Sequence, residues 1–362
     1  MWNGVSIKDY SKGLEILGSV SDSQKAFAKE LVKSGKITVA LADTDKKIYI
    51  KVQVFSGSDC GTAIIEDKHS NITSITLNNT AVFTSNSTCT ASTQVDPDFY
   101  NSSIKDIITT IENLDYEDTK YMLEGIKMNM AVAELGLSSK LGIGVGFAIK
   151  ENMDNGLISK DLPNLAMMLT AAASDARMSG ITIPVMSSNG SGNNGLTAIL
   201  PIAAYNKLYP TDNAKLSKAL AISHVITSYI KYYIGRLSPL CGCAIAASTG
   251  SACAISWLMG GTTEQIQGTV KNILANQSGV ICDGAKPGCA LKLGTAAASG
   301  VQASMLALHD FYSSTDVGIV TGSAENSIKN LKILSECGMQ KVDKTIIDIM
   351  AGTNLPQCQN SD

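Results

Sequence analysis

The sequence has few aromatic residues and no concentrated charge of either sign. Phe, Trp and Tyr make up 5% of its 362 residues, and the formal net charge is only -3. Lys and Arg never occur more than two in a row. A nucleic-acid groove or an anionic membrane surface needs a dense basic patch, so we expect neither as a partner.

The sequence also lacks the features of a secreted or membrane protein. Its first residues, Met1 to Ser6, show no basic start followed by an apolar stretch. The most apolar segment, 241–261, carries the small polar residues Ser248, Thr249 and Ser251 at its middle. That pattern predicts a buried core helix rather than a membrane span. We therefore expect a cytoplasmic protein with no membrane partner.

Cysteine, in contrast, is plentiful and unevenly distributed. The chain has nine cysteines, and five of them fall between Cys241 and Cys289. A reducing cytoplasm does not favour a disulfide framework, which leaves buried apolar thiols, metal ligands and catalytic thiolates as the alternatives. The clustering is the first indication of a site.

The pattern of apolar residues predicts an α+β protein, with a small N-terminal α/β unit over residues 1–100. A helix is expected over 21–35, with Ser21 or Asp22 as its N-cap. Strands are expected over 37–41, 48–54, 61–66, 71–77 and 81–84. The Asn78-Asn79 step suits a hairpin turn. The polar stretch 85–101, which contains Pro97, is the predicted boundary.

Residues 101–362 are predicted to form a large, mostly helical domain interrupted by glycine-rich loops. Helical spacing covers 103–114, 116–135, 165–178, 215–234, 244–260, 263–275, 296–309, 323–335 and 342–350. One strand is expected over 181–185, directly before the main glycine-rich loop.

The stretch from Cys282 to Cys289 is the most informative for chemistry. Its two thiols lie on either side of Gly284, Pro287 and Gly288, which prevent a continuous helix. Thiolates on irregular backbone suit an iron–sulfur cluster, because nearby amides can also bond the sulfides. Two buried structural thiols are the alternative.

Cys241 and Cys243 form a second thiol pair, just before the long apolar helix. A thiolate or an anionic cluster at a helix N-terminus gains from the helix dipole. Four thiolates from the two segments could also hold zinc, although this spacing is unusual for that metal. Cys253, inside an Ala-rich helix, fits a core role, and the isolated cysteines fit no site: Cys60, Cys89, Cys337 and Cys358.

Residues 187–195 form a loop of small polar residues and glycines. Its exposed amides suit a small anion such as a carboxylate. The loop has neither a Walker A pattern nor a dinucleotide fingerprint, and a flexible linker is the alternative. The candidate substrate-binding residues here are Ser188, Asn189, Gly190, Ser191, Gly192 and Asn193.

Two further positions could belong to a site. His69, with Asn71, follows a strand candidate, where a turn could project it, although a lone histidine is commonly structural. Asp175 and Arg177 lie together near a predicted helix end. They could form a local ion pair or orient the neighbouring loop.

Several of these segments together resemble the L-cysteine desulfidases, the serine-dehydratase-α-like family. The resemblance runs through segments 174–178, 190–195, 236–241 and 282–289, in that order, and extends to the tail at 344–350. It implies a 4Fe-4S cluster held by Cys241, Cys282 and Cys289, with one iron left open and Cys243 as the second choice for the first ligand. His69 and Asn71 resemble the family's His-Thr-Asn element.

The resemblance implies α,β-elimination of L-cysteine to pyruvate, ammonia and sulfide. The open iron would act on the substrate sulfur, and a general base would remove the α-proton. The enzyme alternative is L-serine dehydratase, with water as the leaving group. The glycine loop would then hold the carboxylate of this small amino-acid substrate.

The sequence departs from the family at its N-terminus. Family members carry a Gly-Cys-Thr-Glu-Pro element, with a cysteine implied in catalysis, and a Pro-Gly-Thr-Gly segment, which this sequence lacks. We therefore expect a fragment, a separate chain that supplies the segment, or a non-catalytic cluster-binding remnant. A homo-oligomer is a further expectation.

Overall fold

The computed structural model describes residues 15–18, 20–44, 46, 48–67, 71–85, 97–235, 237–313 and 316–351. The chain divides into two compact units, one of Met1–Gln94 with Ile347–Asp362 and the other of Val95–Ile346. A small sheet in the first unit and many helices in the second make this an α+β protein, as predicted. The domain boundary at residue 100 stays a prediction.

The first unit contains one helix and a four-stranded antiparallel meander. Helix α1 (Asp22–Lys33) begins with a capping box, in which Ser21 and Gln24 each bond the other's backbone. The strands, in spatial order, are β1 (Tyr49–Ser56), β2 (Asp59–Glu66), β3 (Ile72–Leu77) and β4 (Thr80–Thr84). Asn78 and Asn79 have φ values of 50° and 65°. The predicted hairpin is thereby confirmed, because positive φ at both central residues is typical of a type I′ turn.

The strand predicted over 37–41 is wrong. Its alternating apolar residues suit a strand, but the backbone there is irregular and Val39 is 78% exposed. Strand propensity reflects packing against neighbouring strands, and this segment pairs with none of the described strands.

The second unit is a helical assembly. Its helices are α2 (Ile104–Glu112), α3 (Tyr116–Thr119), α4 (Leu123–Ser138), α5 (Val145–Asp154), α6 (Leu162–Met178), α7 (Gly192–Leu208), α8 (Asn213–Ile234), α9 (Ser248–Leu258), α10 (Thr263–Gln277), α11 (Cys289–Leu308) and α12 (Ala324–Ile333). The last described helix, α13 (Val342–Ala351), contains residues of both units.

The core of this unit lies around α6, α7 and α9. Every residue from Asn193 to Tyr205 in α7 is buried, as are nearly all residues of α9. Helix α6 packs against α4, α5, α7 and α11, and α9 packs against α8, α10 and α11. A helix that is buried on all sides belongs to the interior. None of the helices in the described ranges is long and apolar enough to cross a bilayer.

Three differences from the predicted helical domain bear on the site. The strand predicted over 181–185 is wrong, because this segment is irregular and contains Pro184, which cannot donate to a ladder. The helix predicted over 244–260 is divided into a π-helical turn, Cys243–Ala247, and α9. Helices α5 and α7 were not predicted.

Candidate active site

The loop before α7 contains a tight turn over residues 188–191, called the glycine turn below, rather than a flexible linker. Ser188 and Ser191 exchange two backbone hydrogen bonds, each of 3.1 Å. The two residues between them, Asn189 and Gly190, have φ values of 49° and 73°. This is the geometry of a two-residue type I′ turn, which Asn-Gly favours. The alternative prediction of a flexible linker is therefore wrong for residues 188–191.

The turn leads directly into the N-terminus of α7. Ser191 is the N-cap, and its hydroxyl accepts a hydrogen bond from the Asn194 amide. Asn193 and Asn194 are buried in the first turn. Since the first amides of a helix have no intrahelical partner, this end of α7 is electropositive.

Asp175 and Arg177 do not form an ion pair with each other. The Asp175 carboxylate accepts hydrogen bonds from the amides of Ile143, Gly144 and Gly146, at 3.0–3.2 Å. It thereby caps the start of α5, and burial raises its pKa. Arg177 instead donates from Nη1 to Oδ1 of Asn193, at 3.1 Å. Asp175 thus orients the loop before α5 and the start of that helix, and Arg177 reaches the first turn of α7.

A short antiparallel bridge brings the two cysteine segments together. The Cys241 amide donates to the carbonyl of Val280 at 2.8 Å, and the Cys282 amide donates to the carbonyl of Pro239 at 2.7 Å. Leu240 pairs with Ile281 between them. The backbones of Cys241 and Cys282 are therefore neighbours, although 41 positions separate them in the sequence.

Cys241 and Cys243 are both buried and interact with each other. The interaction with the neighbouring Cys243 side chain lowers the pKa of Cys241 to about 6. The same interaction raises the pKa of Cys243, and burial raises it further. Cys243 also lies 3.1 Å from Oδ1 of Asn194. Cys243 is thus engaged as a hydrogen-bond donor.

The Cys282–Cys289 loop is held by ionic contacts. The Asp283 carboxylate pairs with the ammonium groups of Lys286 and Lys292, and Lys292 also donates to the carbonyl of Ile281. Cys289 is the first residue of α11, and its sulfur accepts from the Lys286 amide at 3.5 Å. Cys282 and Cys289 are both partly exposed.

The start of α7 and the cysteine segments meet in one region of the second unit. Asn194 of α7 contacts Cys243, as described, and an open cleft of about 480 Å³ lies between the start of α7 and the Cys282–Cys289 loop. Ala285, from the Cys282–Cys289 loop, lines this cleft. The remaining lining comprises the end of α6, the following irregular segment and the start of α7: Arg177, Met178, Ile181, Ile183, Val185, Ser187 and Gly192. A cleft of this size accommodates a small molecule.

In the described part of the chain, no group of three or more His, Cys, Asp or Glu side chains is arranged around a single metal ion. A 4Fe-4S cluster has a different requirement, because each thiolate binds a different iron and the sulfurs need not converge on one point. Cys241, Cys282 and Cys289 provide soft donors on irregular backbone or at a helix start, which suits such a cluster.

The other candidate residues lie away from the cleft or outside the described residues. Outside the described residues are His69, Cys89 and Cys358. Asn71 lies in the first unit, where its side chain donates to the carbonyl of Glu66 at 3.0 Å. Cys253 is fully buried, and burial raises the pKa of its thiol, as expected for a core cysteine.

Two residues next to this region were not predicted from the sequence. Nδ1 of His224, in the middle of α8, lies 2.9 Å from the hydroxyl of Ser188, and burial lowers the pKa of the imidazole. Lys231 is buried two turns further along α8, where a Cβ on Gly242 would lie 3.3 Å from its ammonium nitrogen. Neither lies in a motif, and only their helical spacing, i and i+7, places them on one face.

Comparison with known proteins places this arrangement within a family. Residues 11–348 match the family described as "Serine dehydratase alpha chain". The chain is 46% identical over 347 residues to a UPF0597 protein from Alkaliphilus oremlandii, which covers 96% of this chain and 81% of that protein. It is 44% identical over 346 residues to one from Clostridioides difficile, covering 94% and 81%.

A third relative, a UPF0597 protein from Clostridium perfringens, is 37% identical over 347 residues, covering 96% of this chain and 81% of that protein. The likeness thus extends over the helical unit with the cysteine segments and over most of the first unit. The chain belongs to the serine dehydratase alpha chain family, and within it resembles the UPF0597 proteins.

Proposed function

We propose that this protein is an iron–sulfur-dependent lyase that converts L-cysteine to pyruvate, ammonia and sulfide. One observation supports this most: a single cleft is lined by Arg177, by Ser187 and Gly192 on either side of the glycine turn, and by Ala285 of the loop between Cys282 and Cys289. A small amino acid in that cleft would have its carboxylate near the start of α7 and its side chain near the thiols.

Cys241, Cys282 and Cys289 would hold the 4Fe-4S cluster. Cys241 is preferred to Cys243, because its backbone is paired with the Cys282 segment while the Cys243 thiol is engaged with Asn194. When bound, the cluster supplies a Lewis-acidic iron for the leaving sulfur.

The chain's own residues would bind and orient the substrate. The amides of the turn and the first turn of α7 suit a carboxylate, because the helix dipole favours negative charge there. The partly buried side chains of Ile181, Ile183 and Val185 form an apolar wall, which would keep water from one side of the reacting carbon.

L-Serine dehydratase is the second candidate, favoured by the description of the matching family. The same cleft would serve either substrate, because L-serine differs from L-cysteine only in the atom that leaves. The two functions are distinguished by measuring sulfide and pyruvate after separate addition of each amino acid.

The first experiment is anaerobic purification and reconstitution of the full chain, with iron and sulfide counted and the visible spectrum recorded. We expect about four irons per chain and sulfide release from L-cysteine. Cys282→Ser and Cys289→Ser should lose the cluster, whereas Cys337→Ser, at an exposed cysteine outside the cleft, should keep it. Full iron in both ligand variants, or none in the wild type, would refute the assignment.

A further inference from the structure

Arg177 lines the cleft without an acidic partner among the described side chains. The nearest acid in sequence, Asp175, directs its oxygens to backbone amides at the start of α5. The half-buried guanidinium therefore keeps its positive charge uncompensated within the described part of the protein. A cleft residue of this kind suits an anionic ligand.

The guanidinium is held in a fixed orientation by one of its nitrogens. Nη1 donates to Oδ1 of Asn193 at 3.1 Å and lies 3.2 Å from the sulfur of Met178. Both contacts use Nη1, so Nε and Nη2 remain for a ligand. These two form one edge of the planar fork, which binds both oxygens of a carboxylate at once.

Gly192 allows the guanidinium to lie against the start of α7. A Cβ at this position would be 2.5 Å from Nε of Arg177 and 3.1 Å from Cζ. A side chain would therefore occupy the space next to the free edge of the guanidinium. The close approach places that edge beside the electropositive helix end that the substrate carboxylate would use.

A purely structural role would leave a different pattern of bonds. Arginine in the last turn of a helix commonly donates to the terminal carbonyls of that helix. The last carbonyls of α6 instead accept from the amides of Ser179 and Gly180, and Arg177 reaches across to α7. The Arg177 side chain is thus positioned by its contact with α7 beside the cleft, and it does not cap the end of α6.

We propose that Arg177 binds the α-carboxylate of the substrate through Nε and Nη2, with Asn193 and Gly192 positioning the guanidinium. The proposal rests on the proposed function, in which a small amino acid occupies this cleft. It assigns carboxylate recognition to a side chain and limits the substrate class to free amino acids, excluding amides and peptides extended at the carboxyl end.

The test measures binding separately from turnover. The reconstituted full chain is titrated calorimetrically with L-alanine, which has no leaving group, and with L-alaninamide, which lacks the negative charge. We expect the wild type to prefer L-alanine, and Arg177→Gln to weaken L-alanine binding roughly 10- to 200-fold, the value of a charge-assisted hydrogen bond. Binding of L-alaninamide should stay unchanged.

Two further variants control for folding and for general charge effects. Arg177→Lys keeps the charge but loses the fork, so it should retain the fold and recover only part of the affinity. Lys207→Gln removes an exposed positive charge at the far end of α7 and should bind L-alanine like the wild type. Gly192→Ala should reduce L-alanine affinity while Arg177 itself is intact.

The outcomes separate this inference from the proposed function. Equal L-alanine affinity in the wild type and in both Arg177 variants would overturn the assignment, even if L-cysteine is still converted to sulfide. A wild type that binds L-alaninamide as tightly as L-alanine would overturn it as well. Absence of iron or of sulfide release in the wild type would count against the proposed lyase function. The role of Arg177 is judged separately, from the relative affinities for L-alanine and L-alaninamide.

Discussion

Gly195 lies where the first turn of α7 passes the backbone of the segment before the glycine turn. A Cβ at this position would be 1.9 Å from the carbonyl oxygen of Met186 and 2.8 Å from Cα of Ser187. Both obstacles are backbone rather than the end of a flexible side chain. Met186 is moreover fixed on both sides by buried Asn129, which accepts from its amide at 2.9 Å and donates to its carbonyl at 3.2 Å.

Gly195→Ala should therefore destabilise the protein and displace the start of α7. Separating the alanine Cβ from the Met186 carbonyl oxygen to an ordinary contact requires a movement of about 1.5 Å, and overpacking of this kind costs about 1–3 kcal/mol. The upper end applies, because the bonds from Asn129 to Met186 would be strained. Alanine regains up to about 1 kcal/mol of helix propensity, so we expect a net loss of about 2 kcal/mol.

The assay is thermal unfolding of the full chain, together with calorimetric titration of L-alanine. For a unit of this size a loss of 2 kcal/mol corresponds to a decrease of about 4–8 °C in Tm. Gly322→Ala is the matched control, because a Cβ there has no neighbour within 4 Å. A Gly195→Ala variant with wild-type Tm and wild-type affinity would refute the packing of α7 against Met186.

Two other substitutions test features of the same region. Burial lowers the folded-state pKa of His224, so stability should be complete above the unfolded value of about 6.5 and should fall as the pH decreases below it. His224→Gln should flatten this dependence in denaturant titrations at several pH values, and exposed His309→Gln should not. An unchanged pH dependence in the first variant would contradict a partly buried, neutral imidazole. Asp175→Asn should cost about 2–4 kcal/mol, because a carboxamide cannot present two oxygens to the three amides at the start of α5. Unchanged chemical denaturation of that variant would show that the cap is not needed.

The sheet and most helices were predictable, because local sequence determines them. The four strands of the meander alternate or run apolar between turn residues, and the Asn78-Asn79 turn fixes their hairpin. Helix α5 was not predictable in this way. Its N-cap, Gly144, has no side chain to bond the free amides, and the carboxylate that does so comes from Asp175, far along the sequence.

The candidate site was predictable only in part. Residue types and spacing indicated the cysteine segments and the glycine loop, but not that Asn194 would contact Cys243 or that Ala285 would line a cleft with Gly192. The same apolar pattern that predicted a strand over 181–185 instead provides the wall of that cleft. Periodicity shows that a segment is partly buried, but not which surface it packs against.

The bridge between residues 239–241 and 280–282 has a consequence for the evolution of chain length. Side chains alternate across such a pairing, so a slip of one residue would turn the Cys282 sulfur to the opposite side of the ladder. A deletion or insertion at Leu240 or Ile281 should therefore be eliminated by selection. The connection between α9 and α10 lies outside the bridge, so homologues can change its length and still keep both thiols in register.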